Sequence, residues 1–132
     1  MKLIVADDSA LFREGMVGLL ERQGHEVLAQ AATAPELLAA AARHAADVLV
    51  TDVRMPPGMA DDGLRAAVEL REVQPATGIM VLSQYVAPAY ATRLFEPAAP
   101  AEGVGGLGYL LKDRVARVAD FIRSLQVVAA GG

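Results

Sequence analysis

Cysteine is missing altogether from these 132 residues, which excludes disulfides, thiolate metal sites and a cysteine nucleophile and fits a reducing cytoplasm. No apolar run approaches the roughly 20 residues that a membrane-spanning helix needs, and the amino terminus, MKLIVADDS, turns acidic too early for a signal peptide. These two absences set the expectation of a soluble cytoplasmic protein without a membrane partner. Positive charge is short as well: 12 Lys and Arg stand against 16 Asp and Glu, a formal net charge of -4. Gripping a nucleic acid rests on neutralising its phosphates with cationic side chains, so this segment is not expected to hold DNA unaided. The two histidines, His25 and His44, sit apart from the positions that matter below and read as surface residues. Met16, Met55, Met59 and Met80 need no cofactor to explain them.

What the chain does have is apolar material, 54% of it against 21% charged residues, enough for burial to offset the entropy of folding one domain over 1–132. Strand-like apolar runs alternate with helix-period segments five times, which marks a parallel sheet with crossover helices. The strands are expected at Leu3–Ala6, Glu26–Ala32, Asp47–Thr51, Ile79–Ser83 and Tyr109–Lys112. Helices are expected from Leu11 to Arg22 with Gly24 beyond the end, from a cap at Thr33 to near His44, and from Asp61-Asp62-Gly63 until Pro75. A weak helix around Ala87–Phe95 and a final one reaching Gly131 complete the set. Leu11, Phe12, Gly15, Met16, Leu19 and Leu20 form the first expected core stripe, Leu64, Ala67, Val68 and Val73 the third, and Val115, Val118, Phe121, Ile122, Leu125 and Val128 the last. Met55-Pro56-Pro57-Gly58 reads as a loop, and Glu96–Gly106 as the loosest stretch. The second strand is the least apolar, which suits an edge. The fold class is therefore α/β, a flavodoxin-like (βα)5 three-layer sandwich with strand order 2-1-3-4-5.

Polar chemistry stands at the ends of four of the five strands. The acidic pair Asp7-Asp8 follows LIVA, Asp52 follows DVLVT, Ser83 closes IMVLS and Lys112 closes YLLK, whereas the second strand ends in Ala31-Ala32. Side chains leaving the carboxyl ends of neighbouring parallel strands converge on one crevice. Three carboxylates with a lysine and a hydroxyl suit Mg2+ and a phosphoryl group, because each cation offsets charge of the opposite sign. Taken singly the residues have plainer readings: Asp7 and Asp8 as helix caps beside Ser9, Lys112 as an exposed lysine, Ser83 as nothing in particular. Asp52 is more telling, since a charge closing a buried strand costs several kcal/mol unless it is paired. A carboxylate there can attack phosphorus to form an aspartyl phosphate, with Lys112 cradling the phosphoryl oxygens and Ser83 donating to one of them.

With the phrases VRMPP, SQYV and GYLLKDRV, these residues give the chain a resemblance, over essentially its whole length, to the receiver domain of a two-component response regulator. The subgroup it resembles is the NarL-like one, whose receivers precede a LuxR-type helix-turn-helix. The resemblance implies a phosphoacceptor signalling domain and not a dedicated enzyme, one that slowly hydrolyses its own aspartyl phosphate. In it Asp52 is phosphorylated by a histidine kinase, and Mg2+ is held by Asp7, Asp8, Asp52 and the backbone carbonyl of Arg54. Lys112 and Ser83 contact the phosphoryl group. Ser83 and Tyr109 form a switch towards the surface made by the helix after the fourth strand, the fifth strand and the last helix, although Tyr109 reads equally well as a static half-buried strand residue. Arg54 and Tyr85 fall where the family tunes phosphate lifetime. Homodimer formation on activation and transcription regulation are implied too, with DNA bound only through a C-terminal domain expected in the full-length protein and absent from this chain; a shortened chain is expected in preference to a stand-alone receiver.

The chain departs from the family at two places. Asp113 stands where many receivers carry a cis proline after the lysine, which leaves the geometry of that bond open, and Pro97–Gly108 is longer and richer in glycine than the usual connection. Two rival readings fit the residues less well. An aspartate-nucleophile phosphatase would carry a DxDx motif after its first strand and a cap domain, whereas here Asp7-Asp8-Ser9 follows and the length leaves no room. A phosphorylation-independent interaction module would lack the acceptor or the lysine, and neither is lacking.

Overall fold

Strand formation follows the apolar runs closely. The computed structural model describes residues 1–53, 58, 62–83 and 106–131, and in them β1 (Lys2–Ala6), β2 (Glu26–Ala31), β3 (Val48–Asp52), β4 (Gly78–Ser83) and β5 (Leu107–Leu111) form one sheet. Every pairing is parallel and the order is β2-β1-β3-β4-β5. This is the flavodoxin-like arrangement expected from the alternation of elements. β3 and β4 are buried at every position and β1 at all but Lys2, whereas β2 at the edge is only partly covered, as the weaker hydrophobicity of EVLAQA requires.

The helices begin where polar caps satisfy their first amides. α1 (Ala10–Arg22) starts after Ser9, whose Oγ accepts from the Phe12 amide, and it is followed by Gly24 at φ +87°, a left-handed turn that glycine enters without strain. α2 (Ala34–Arg43) starts after Thr33, whose Oγ1 accepts from the Glu36 amide, with Pro35 in the first turn. α3 spans Asp62–Val73 and α4 spans Val118–Ala129. Lys112 does not close β5 as expected. It opens a 3-10 turn, Lys112–Ala116, that carries the chain from the sheet into α4. The expected loop at Met55–Pro57, the helix around Ala87–Phe95, and the residues Arg54, Met59, Asp61 and Tyr85 lie outside the described residues. So does all of Pro97–Gly108 except its last three residues. Of these, Gly106 donates to the carbonyl of Val128 at 2.7 Å and accepts from the Ile79 amide at 2.9 Å, tying the start of β5 to the end of α4.

Helices cover both faces of the sheet. On one side Leu3, Val5, Val48, Val50, Met80 and Leu82 pack with Met16, Val17 and Leu20 of α1 and with Phe121, Leu125 and Val128 of α4. On the other, Ile4, Ala6 and Leu49 meet Leu37, Ala40 and Ala41 of α2 and Ala66 and Leu70 of α3, and a further cluster joins Leu64 and Ala67 to Val53, Ile79 and Val81. Three residues of the expected core stripes are exposed instead. Leu11 is 87% exposed and Val73 is 69% exposed, because each sits in a terminal turn of its helix, past the part that lies against the sheet. Gly15 is exposed too, whereas Val17, outside the expected stripe, is buried.

Phe121→Ala is expected to lower the unfolding free energy by about 3–5 kcal/mol, since it empties a fully enclosed aromatic site. Leu11→Ala is expected to change it by no more than about 0.5 kcal/mol. Urea titration of both variants measures the contrast.

Candidate functional site

Parallel register puts the polar residues on one rim. Ala6 lies beside Thr51, Asp52 beside Leu82, and Ser83 beside Leu111, so Asp7, Asp52, Ser83 and Lys112 all leave the sheet at the same end. Asp7, Asp52 and Ser83 are buried and Asp8 is exposed. Lys112 reaches across the rim: its Nζ lies 2.9 Å from Asp7 Oδ2 and donates to Asp52 Oδ2 at 3.0 Å. The side chain is only 13% exposed. The carboxylates of Asp7, Asp8 and Asp52 each offer one oxygen within 4.8 Å of the others.

Asp7 is fixed by its own neighbours. Its amide donates to the carbonyl of Ala31 at 3.0 Å, its carbonyl accepts from Arg13 Nη1 at 2.7 Å, and its Oδ1 accepts from the Ser9 amide at 2.9 Å. Oδ2 is enclosed and accepts no well-aligned hydrogen bond among the described residues; it meets Lys112 through charge alone. An enclosed carboxylate oxygen with free lone pairs, beside two further carboxylates, fits a hard divalent cation. Tyr109 is half-buried beside the cluster of Val53, Leu64 and Val81, and among the described residues its enclosed hydroxyl has no partner.

Burial pushes the carboxyl of Asp52 above the usual range; Lys112 draws it back, and the nearby charges of Asp7 and Asp8 push it up again. For Lys112 burial pulls the ammonium down, but its close contacts with the charged Asp7 and Asp52 outweigh it, so the group is held above its ordinary value and stays charged at neutral pH. A carboxyl raised on folding favours the folded state most below its unfolded pKa, and that advantage is lost as pH rises through the folded value. Ionised Asp52 is therefore a strain on the fold at neutral pH.

Three residues at this rim escaped the reading of the sequence as site residues. Thr51 Oγ1 donates to the carbonyl of Asp52 at 3.0 Å. Gly63, in the first turn of α3, comes so close that a Cβ there would overlap that same carbonyl oxygen, while its amide donates to the carbonyl of Val53 at 2.9 Å. The pattern Asp62-Gly63 at a helix start was a signal, since glycine inside a helix is costly without a packing reason. Phe12 is the third: its ring lies 4.8 Å from Lys112 Nζ.

Asp52→Asn is expected to raise the unfolding midpoint at pH 7 in metal-free buffer, with the gain shrinking towards pH 4 as the wild-type carboxyl itself protonates; calorimetry across pH measures it. Gly63→Ala is expected to cost about 1–3 kcal/mol, because backbone and not a flexible side chain must move, and chemical denaturation reads the loss.

A family model described as the response regulator receiver domain matches residues 3–114. The oxygen regulatory protein NreC of Staphylococcus haemolyticus is 34% identical over 114 residues, covering 86% of this chain and 48% of the relative, so the chain spans about half the length of the curated relatives it matches. Among solved structures, the signal receiver domain of the response regulator NarL from Mycobacterium tuberculosis superposes with a TM-score of 0.73 at 30% identity over 95% of both chains. A LuxR-family response regulator from Aurantimonas sp. SI85-9A1 gives 0.72 at 28% identity, over 95% of this chain and 84% of the other. Strand order, the acidic rim bridged by one lysine and these matches all agree: the chain belongs to the response regulator receiver domains and is similar to those of the NarL/LuxR type.

Proposed function

We propose that this domain accepts a phosphoryl group on Asp52 from a phosphohistidine of a histidine kinase, and that the acylphosphate so formed changes the surface the domain offers to its partners. A carboxylate oxygen of Asp52 attacks phosphorus; the P–O bond forms as the P–N bond to the imidazole breaks, and the imidazole nitrogen keeps the electron pair and takes up a proton. The observation that carries this reading is the placement of one ammonium between two enclosed carboxylates at a strand-end rim. A lysine so held meets the phosphoryl oxygens as they replace the carboxylate oxygen it now contacts. Ser83, buried at the end of β4, is suited to donate to a further phosphoryl oxygen.

Asp7, Asp8 and Asp52 would hold Mg2+, with the carbonyl of Arg54, outside the described residues, as the further ligand that the family suggests. The bound ion supplies positive charge against the oxygens of the entering phosphoryl group. Asp7 keeps an enclosed oxygen for it, and the exposed Asp8 leaves room for the waters that Mg2+ retains. Slow hydrolysis of the acylphosphate resets the domain. Ser83 and Tyr109 form its switch, Ser83 moving towards the new oxygens and Tyr109 turning with it. The reading extends to a homodimer on activation and to a LuxR-type DNA-binding domain in a full-length protein acting in the cytoplasm, and the similarity to a LuxR-family response regulator supports the DNA-binding part of it.

Incubation with Mg2+ and a small phosphodonor, followed by intact mass measurement, is expected to add the mass of one phosphoryl group, removable by hydroxylamine. Asp52→Asn is expected to abolish the addition. Equal labelling of that variant would overturn the reading.

A further inference from the structure

Lysine is a compact charge on a flexible four-carbon stem, and nothing in the stem keeps the ammonium in one place. Lys112 is also the first residue of a 3-10 turn and not an interior strand residue, so the ladder of the sheet does not fix it either. Among the described residues its ammonium has three contacts: Asp7 Oδ2 at 2.9 Å, Asp52 Oδ2 at 3.0 Å, and the ring of Phe12, whose centroid lies 4.8 Å from Nζ. The first two are carboxylates that any phosphoryl group or cation entering the site will compete for. The third is not. A cation within about 6 Å of a ring is drawn to the negative face of its quadrupole, and the ring carries no net charge to repel an incoming phosphoryl group.

Phe12 is itself well anchored. Its amide donates to Ser9 Oγ at the cap of α1, and its side chain packs against the core cluster that contains Met16, Val115 and Phe121. Ring and lysine are thus fixed from opposite sides, one by the first turn of α1 and the other by the turn that precedes α4. A third carboxylate in the place of Phe12 would hold the ammonium as well, but it would add to the repulsion that already strains Asp52. An aliphatic side chain would fill the space without attracting the charge.

We propose that Phe12 is a positioning residue for Lys112, its ring face keeping the ammonium over the rim so that it is already in place when Asp52 receives a phosphoryl group. The proposal rests on the phosphoacceptor reading above and adds a residue to it. Phe12 acts through Lys112 and touches no phosphoryl oxygen itself. Preorganising a cation where charge arrives removes a reorganisation step from the transfer, so the effect belongs to the rate at which Asp52 is labelled.

Two measurements test it, on the wild type, Phe12→Leu and Phe12→Tyr, with thermal unfolding showing that each variant is folded. The first is the rate of Asp52 labelling at a fixed concentration of a small phosphodonor with Mg2+. Phe12→Leu is expected to be roughly three- to tenfold slower, and Phe12→Tyr, which keeps the ring, to stay within about twofold of wild type. The second uses neither metal nor donor. In the wild type the ε-methylene protons of Lys112 are expected upfield of those of the other lysine, Lys2, through the ring current of Phe12; Phe12→Tyr keeps that shift and Phe12→Leu abolishes it. Wild-type rates in Phe12→Leu overturn the proposal, as does equal slowing in Leu and Tyr variants, which would mean that packing and not the ring face matters. Unshifted Lys112 protons in the wild type overturn it as well. A wild-type protein that takes no phosphoryl group at all defeats the phosphoacceptor reading instead, and the proton shifts then decide for or against a ring-held lysine.

Discussion

Mutual repulsion among carboxylates is the constraint on which the rest of this molecule depends. Asp7 and Asp52 are buried at one rim with Asp8 beside them, and in a medium that screens poorly such a group holds together only if a cation stands among its members. Within the described residues that cation is the ammonium of Lys112. The fold is what makes the meeting possible. Order β2-β1-β3-β4-β5 sets β1 against β3 and sends the chain through β4 to β5, so residues separated by a hundred positions leave the sheet at one edge. Asp52 remains strained even so, and a strained carboxylate gains from any change that spreads or neutralises its charge.

Much of this was legible in the chain because the governing signals are local. Apolar runs such as LIVA and IMVLS name their strands, and Ser9 and Thr33 name helix starts because an amide needs an acceptor there. The weak second strand declared its edge position through its composition. Part of the chemistry was legible because a charge cannot close a buried strand without a partner, so Asp52 called for a nearby cation before any geometry was known. The family model and the matched relatives converge on the same fold and family from another direction.

What could not be read was the fine orientation of helices and every contact made through backbone. Periodicity placed Leu11 and Val73 on apolar stripes, but a stripe does not say where the sheet beneath it ends, and both residues overrun it. Gly63 looked like an ordinary helix start; its need to be glycine comes from a carbonyl eleven positions back in the chain, a proximity that only the packing of α3 on β3 creates. Phe12 was read correctly as a core residue and incompletely as nothing more, because the partner of its outer face, Lys112, lies a hundred residues away. The polar residues at the strand ends gave no hint of it, since an aromatic ring on an apolar stripe reads as core.

The closeness of Gly63 to the main chain of Asp52 carries a mechanical consequence. With the start of α3 pressed against its carbonyl oxygen and Thr51 bonded to the same atom, the Asp52 peptide rests on a backstop and has no slack on the side facing α3. Whatever load arrives at its side chain is not cushioned by recoil in that direction. The compliant direction is sideways, along the rim towards the strand and turn that hold Ser83 and Lys112.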